Sequence, residues 1–545
     1  MIDASHNRRK LRCQSLPVSA LIISVFFVSG CNPGTNTETP SPARNSLSLS
    51  TGAPLGQSTT TQDPPGKKQD ENRVSITGDL NAVDWQSHVG KQIMIEGDLV
   101  IVDTYDLARR GQIKVARNRL LVPTSQVDPN DADPTATSSQ GNSNVAKVIE
   151  LQETNDRGSI TVDDGRTEQN VFPLTLFPEI GKTQPSVRVG SIVHGLSGRL
   201  TRDRNRLIIQ TDKPLVWSPA VRPERPGVGE ADLTIASFNV LNYFTTIDNG
   251  RNGARGADSE SELGRQEAKI TAAISGLQAD VIGLMEIENN IEAEKRLVGA
   301  LNRKLGDELY TGCGIPEGFK NSPGGTDSIR VGIIYRADRV SPVGNVSMIV
   351  DDAFARARTP IVQTFMPKDG GKPFTVIVNH FKSKGGGSNA NAANRDKKDG
   401  QAAYNQARRE QALAICDYID QVEKKNPESR ILVIGDLNAY QQEDPIDVLR
   451  DRGLVDLQEQ SLEAVSSSSK NADYSFIYFG QCGNLDHAFA NRSLAKDVTG
   501  TSIWHINADE PRFLDYNEEF NPATLYNADP YRSSDHDPVL IGIQK

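Results

Sequence analysis

Six apolar runs in the later part of a 545-residue chain end in side chains that can do chemistry. ASFN ends at Asn239, GLME at Glu286, VIVNH at Asn379 and His380, and VIGDLN at Asp436 and Asn438. NLDHA carries Asp486, and SSDHD carries Asp535, His536 and Asp537. One polar residue at a strand end is ordinarily just solvated. Six such endings describe strands that deliver carboxylates, amides and imidazoles to one rim, as an active site on a sheet edge requires. Carboxylates and amides are hard oxygen donors. They suit Mg²⁺ or Mn²⁺, with Ca²⁺ open on the same donor chemistry, rather than zinc. No CxxC or Cys/His cluster offers a zinc site. With imidazoles alongside, the set suits metal-assisted attack of water on a phosphodiester. A carboxylate-paired histidine then moves or stabilises charge, and an acid supports the leaving oxygen.

The elements that must hold these residues alternate between two textures. ADLTIASFNVL, DVIGLMEI, RVGIIYR, PFTVIVNHF, RILVIGDL, DHAFAN and DPVLIGI are apolar runs of strand length, while QEAKITAAISGL and REQALAICDYIDQV space their apolar residues as helices do. Many buried strands with helices between them predict a layered α/β domain over 230–545. Upstream, 74–218 has short alternating segments such as KQIMIEGDLVIVDTY, GQIKVARNRLLV and RLIIQT, punctuated by Gly, Asn, Asp and Pro. They predict a small all-β domain, barrel-like, with a polar loop at 129–144. It serves either as a packing module or as a nucleic-acid platform of the oligonucleotide-binding (OB) type, which exposed Tyr or Arg would favour. The Pro-rich 219–229 reads as a linker and the Ser/Thr/Pro-rich 32–73 as a flexible tether.

Residues 1–31 read as a targeting segment. Arg8, Arg9, Lys10 and Arg12 precede an apolar run from Val18 to Val28, well short of the roughly 20 residues that span a bilayer. Val28-Ser29-Gly30-Cys31 resembles a bacterial lipobox, which implies lipidation at Cys31, a lipid anchor, and residence on the outer membrane facing the extracellular space or periplasm; an ordinary signal peptide with a chance Cys would instead leave the protein secreted. Removing the signal takes Cys13 and leaves Cys313, Cys416 and Cys482. Cys416 lies in a helical pattern and reads as a buried free thiol. Cys313 and Cys482, both in Gly-flanked loops, could pair. Net charge is −10, whereas sequence-blind polyanion binders are usually basic, so an anionic substrate must be met by a local cluster or a metal.

SFNVLN, GLMEIENN, VNHFKSK, GDLNAYQQEDP, GNLDHA and SSDHDPV together resemble the endonuclease/exonuclease/phosphatase superfamily. More narrowly, GTDSIRVGIIYR, DGQAAYNQARREQA, WHINADEP and DPYRSSDHDP resemble ExeM-like extracellular nucleases of bacteria. The resemblance implies a four-layered αββα sandwich of deoxyribonuclease type and hydrolysis of DNA, with RNA left open. It assigns Asn239, Glu286 and Asp535 to the metal site, and Asp436 to the attacking water. Asn438 goes to the phosphate, and Asp486 and His536 to a paired carboxylate and imidazole. His380 becomes the acid for the leaving 3′ oxygen and Arg358 a phosphate contact. The acid that supports the histidine in that branch falls at Ile329 here, and Asp327 is the nearest carboxylate. The basic, Gly/Asn-rich loop beginning with Lys384 reads as a clamp on a nucleic-acid backbone, with Asn405 and Arg408 on the helix behind it. His88, His194, His487 and His505 read as structural or surface residues, and Asp537 is open between the two kinds of role. The sequence leaves oligomeric state open. It also leaves two alternatives: a phosphoesterase of the same fold acting on another phosphoester, and a non-catalytic surface lipoprotein.

Overall fold

Strands with both faces buried need apolar side chains at every position, and Ile431–Asp436 (ILVIGD) is buried along its whole length. The computed structural model describes residues 73–130, 144–464 and 473–545, which belong to one compact unit. Two six-stranded sheets contain the predicted apolar runs. The first orders Tyr310–Gly312, Ile329–Arg336, Val281–Glu288, Leu233–Tyr243, Val539–Ile543 and Val498–Ile503. The second orders Val340–Met348, Ile361–Pro367, Phe374–His380, Ile431–Asp436, Asp486–Ala490 and Val455–Asp456. Both mix parallel and antiparallel neighbours.

Alternation along each strand sends neighbouring side chains to opposite cores. Ile235, Val281, Val376, Val378, Leu432 and Ile434 share one core. Ala236, Ile282 and Leu284 pack instead with Ile270, Ile274, Leu297 and Leu301 of helices Glu260–Leu277 and Ile291–Leu305. Ile377, Ile431 and Val433 pack with Ile415 and Ile419 of helix Asn405–Lys425. The first two helices start on side-chain caps: Ser259 accepts the Glu262 N–H and Asn290 accepts the Ala293 N–H.

The N-terminal segment forms an open nine-stranded sheet from Arg73–Ile76 at one end to Trp217–Ser218 at the other. It is not all-β: Val145–Arg157 is a helix. In that stretch Val145 and Val148, three residues apart, are buried, a helical spacing that the surrounding alternation hides. The sheet's core also takes in Phe513, Leu514 and Leu525 from the far end of the chain. Beside them Arg188 lies buried, its guanidinium 3.1 Å from Asp509 and 3.1 Å from Glu510, with a hydrogen bond to the His505 carbonyl at 2.8 Å. Arg188→Met leaves two buried carboxylates short of a partner, and the expected cost is about 3 kcal/mol in urea unfolding; a loss below about 1 kcal/mol would show that Arg119 and Arg222 already suffice.

Cys313, Cys416 and Cys482 are free thiols, so the pairing that the sequence allowed between Cys313 and Cys482 is not made. Cys313 packs against the core between the two six-stranded sheets, whereas Cys482 is buried in strand Gln481–Gly483, 3.7 Å from the Arg119 guanidinium. Burial pushes the Cys482 thiol up to about 12, the range of an unreactive thiol. Cys31 and the lipobox lie outside the described residues. No described helix is long and apolar enough to cross a membrane.

Candidate active site

The central strands of both six-stranded sheets end at one rim, where local backbone distortions aim the side chains. Strand Leu233–Tyr243 loses register after Asn239, and Leu241 and Asn242 take φ of 54° and 47°. Its neighbour shifts register between Leu284 and Ile287, with Glu286 at φ 65°. A bulge that turns a bulky residue into left-handed space re-aims its side chain at a cost, and such strain concentrates at functional sites. The Glu286 carboxylate is thereby held by the Asn242 N–H at 3.0 Å and the Asn239 amide at 3.2 Å.

The second sheet works by register. His380 lies beside Asp436 in the parallel ladder, and Asp436 beside Asp486 in the antiparallel one. Gly435 makes the approach possible: its φ is +140°, and a Cβ there would sit 2.0 Å from the Asn379 carbonyl oxygen. Gly435→Ala should therefore cost about 3 kcal/mol or more of stability, read as a fall in unfolding midpoint. A midpoint unchanged from wild type would mean that the two strands separate more easily than the packing suggests.

Asp436 is the hub. Its Oδ2 accepts from the Asn239 amide at 3.3 Å, so the two sheets meet at this bond. The same oxygen is 3.3 Å from His380 Nε2 and 4.0 Å from His536 Nε2. Its Oδ1 accepts the Asn438 N–H at 2.9 Å. Burial alone would raise the Asp436 carboxyl, but hydrogen bonding with His380 and the nearby His536 charge hold it well below the usual carboxylate range. Asp486 Oδ2 lies 2.7 Å from His536 Nδ1 and accepts the Ser475 hydroxyl at 2.6 Å. Burial works against a charged His536, yet the Asp486 and Asp436 carboxylates outweigh it and keep the imidazolium favoured well above the ordinary histidine range.

Ligand atoms of Glu286, His380 and Asp436 all lie within 4.8 Å of one another. The Glu286 and Asp436 carboxylates fit a divalent cation that prefers oxygen. Asn239 instead turns its NH₂ to them and its Oδ1 accepts the Leu241 N–H at 3.1 Å, so it does not present to the cation the oxygen that the sequence assigned to it. Asp535 is half-buried and within electrostatic reach of His536. Asn438, at φ 49°, and Arg358 both donate to the Phe381 carbonyl, each at 3.3 Å, which sets them next to His380. Asp327 does not serve His380. It lies 3.7 Å from Arg358 and 4.0 Å from Arg255, and the buried His380 Nδ1 has no hydrogen-bond partner among the described residues.

Three residues assigned to substrate contact are engaged internally. Lys384 binds the Glu443 carboxylate and the Gln401 carbonyl over the Tyr440 ring, and burial brings its ammonium down to about 8. Arg408 is fully buried and donates to the carbonyls of Lys382, Ala403 and Gln401. Asn405 donates to Asp444 at 2.7 Å. A basic loop reads the same in sequence whether its cations face solvent or acids contributed from elsewhere, here Glu443 and Asp444. The local positive group at the rim is instead half-buried Lys382, whose ammonium is lowered by burial and then by the charges of Arg358 and Arg408.

His487 is buried against the Ala439 carbonyl at 2.8 Å, and His194 bridges Asp98 and Ser218, both as expected. His88 lies 3.4 Å from the Ser87 hydroxyl. Asp537 is structural: it accepts the N–H groups of Asn507 and Ala508 and lies 3.0 Å from His505 Nδ1. The sequence reading missed Ser475 behind Asp486, Phe476 against the His536 ring at 4.7 Å, and Asn507. The Asn507 amide bonds the N–H groups of Ser533 and Ser534 and the carbonyl of His536. Asn507 and His505 sit in the same WHINADEP run, and that shared placement was the one available signal.

Residues 236–536 match the sequence profile of the Endonuclease/Exonuclease/phosphatase family, a span that includes every residue of the cluster. No curated protein matches the chain. Among solved structures, it is similar to an endonuclease/exonuclease/phosphatase family protein from Bacteroides thetaiotaomicron, with 18% identity, 57% of this chain and 96% of that one covered, and a TM-score of 0.38. The human Nocturnin catalytic domain with bound sulfate anion is 16% identical, covering 57% and 93% at a TM-score of 0.36. D. rerio TDP2 complexed with single strand DNA product is 16% identical, covering 57% and 97% at a TM-score of 0.35.

Proposed function

The chain belongs to the endonuclease/exonuclease/phosphatase family, whose members hydrolyse phosphoester bonds, and from that premise we propose that it is a metal-dependent deoxyribonuclease acting outside the cell. The observation that carries this reading is the convergence on Asp436 of His380 from its own sheet and, from the other, Asn239 and the His536 that leads into strand Val539–Ile543. We read 230–545 as the αββα catalytic domain. Residues 1–31 are the lipoprotein signal ending at Cys31, and the residues from 32 up to strand Arg73–Ile76 the tether of an ExeM-like enzyme.

Glu286, Asp436 and Asp535 supply the oxygen donors on this reading, and the Asn239 amide holds the first two in place. A divalent cation bound there, Mg²⁺ or Mn²⁺, would neutralise the non-bridging oxygens of the phosphate. Asp436, kept ionised by its histidine neighbours, orients the attacking water and accepts its proton. His536, fixed by Asp486 through Nδ1, presents Nε2 to the charge that develops on the phosphate. Asn438, Arg358 and Lys382 position the phosphate. His380 Nε2 shares the same space and supplies a proton to the departing 3′ oxygen.

The test uses the soluble chain with circular DNA, linear DNA, RNA and p-nitrophenyl phosphate, each with and without EDTA. Cleavage of DNA that EDTA abolishes is the expected result. Turnover of the phosphomonoester alone would move the chain to the phosphatase side of its family, and DNA cleavage insensitive to EDTA would remove the metal.

A further inference from the structure

Phe476–Tyr478 and Gln481–Gly483 form an antiparallel hairpin beside the rim. Residues two apart on a strand share a face. Phe476 packs on the His536 ring, so Tyr478 continues that face away from the catalytic histidine. The two residues at the tip, Phe479 and Gly480, both take positive φ, 49° and 82°. This is the two-residue hairpin turn that ordinarily takes Asn-Gly or Gly-Gly. A phenylalanine is costly in left-handed space, and this one leaves 57% of its surface in solvent. Folding alone gives no reason for that choice.

The tip is not loose. The Phe479 carbonyl accepts from Lys114 at 3.2 Å, and Gly480 seats against Val102 and Asp103 of the nine-stranded sheet. Just past that strand stands Tyr105, 63% exposed, with the Arg512 guanidinium 4.7 Å from its ring centre. Tyr478 is 46% exposed and 4.5 Å from the Phe479 ring. Burial and then the Tyr105 phenol raise the Tyr478 hydroxyl, which puts the two phenols within electrostatic reach. Aromatic rings and an arginine thus continue outward from His536 on a rigid mount shared by the two parts of the chain.

Resting on the nuclease reading, we propose that Tyr478, Phe479 and Tyr105, with Arg512 behind, form a ledge on which bases of single-stranded DNA stack as the strand leaves the active site. The chemistry favours this occupant. The net charge of −10 makes long-range attraction of a polyanion weak, whereas stacking is insensitive to overall charge and accepts any base. Lys114 and Arg512 supply the local cations that a passing phosphate needs. The ledge also gives the N-terminal sheet a part in the reaction, since it contributes Tyr105 and anchors the tip.

The experiment compares kcat/KM on a single-stranded thymidine dodecamer with that on a dodecamer of the same backbone lacking every base. Wild type should prefer the base-bearing strand by about tenfold or more. Tyr105→Ala, Tyr478→Ala and Phe479→Ala should each bring that ratio severalfold closer to one, and Tyr105→Trp should restore it. Tyr105 is exposed, so its variants keep the fold, which a thermal midpoint checks. A wild-type ratio near one, or variant ratios equal to wild type, would overturn the ledge while leaving the nuclease standing. Cleavage of neither strand would overturn the ledge, and the nuclease reading would fall with it only if circular and linear duplex DNA were also left intact.

Discussion

Asp436→Asn lowers kcat/KM on a phosphodiester by on the order of 10³- to 10⁴-fold and leaves the fold intact. The argument is steric and electrostatic. The amide is isosteric, so the packing between the Phe374–His380 and Asp486–Ala490 strands is unchanged. One of its two ends must face the Asn438 N–H and the other the Asn239 amide, both of which are donors. Whichever way it turns, an NH₂ meets a donor. The charge that faces His380 and His536 is gone, and with it the base for water and one oxygen donor. Stability falls by about 1–3 kcal/mol, because the buried NH₂ facing a donor and the counter-charge lost by two imidazoles outweigh the relief of a carboxylate that no longer has to be desolvated. The measurement is initial rate on plasmid or bis(p-nitrophenyl) phosphate together with a thermal midpoint. Retention of more than about a tenth of wild-type activity by a folded variant would remove Asp436 from water activation.

What the sequence made legible follows from the range of the forces involved. Buried strands announce themselves by local composition, so the apolar runs before Asn239, Glu286, His380 and Asp436 are strands in the structure. Their polar endings could be gathered because parallel and antiparallel neighbours share a rim. Contacts set by distant partners were invisible. Lys384 reads as a free cation until Glu443 is folded beneath it, and Asp327 reads as available to His380 until Arg358 and Arg255 lie beside it. The N-terminal segment reads as separate because its linker is Pro-rich. Yet Arg222 of that linker pairs with Glu510, and Phe513 and Leu514 lie in the nine-stranded sheet's core. Pro fixes the local backbone and says nothing of what the side chains between prolines will reach. Phe479 carries no signal in the sequence, since a positive φ is a property of the turn and not of the residue type.

Asp486 and Glu286 are both rim carboxylates, and their variants separate two roles that a simple loss of activity would merge. Asp486 Oδ2 meets His536 Nδ1, not the cluster formed by Glu286, His380 and Asp436. Asp486→Asn turns that acceptor into a group that can donate, which favours the wrong imidazole tautomer and strips the counter-charge from His536. By the logic of a carboxylate that orients a catalytic histidine, kcat should fall by about 10³-fold with KM nearly unchanged. The Mg²⁺ or Mn²⁺ concentration for half-maximal rate should stay near the wild-type value, because no donor of the cluster is altered. Glu286→Gln should do the reverse at first order. It keeps an acceptor for the Asn242 N–H but removes a charge from the donor set, so half-maximal rate should require about 10- to 100-fold more metal. Ser475→Ala supplies the graded control: it takes one hydrogen bond from the Asp486 carboxylate, and the acceptor of the Leu485 and Asp486 N–H groups, while leaving the imidazole its acceptor, and about a tenfold loss in kcat is expected. If Asp486→Asn moved the metal requirement as far as Glu286→Gln does, Asp486 would belong to the donor set, and the charge on the phosphate would have to be met by another group than a His536 held by Asp486.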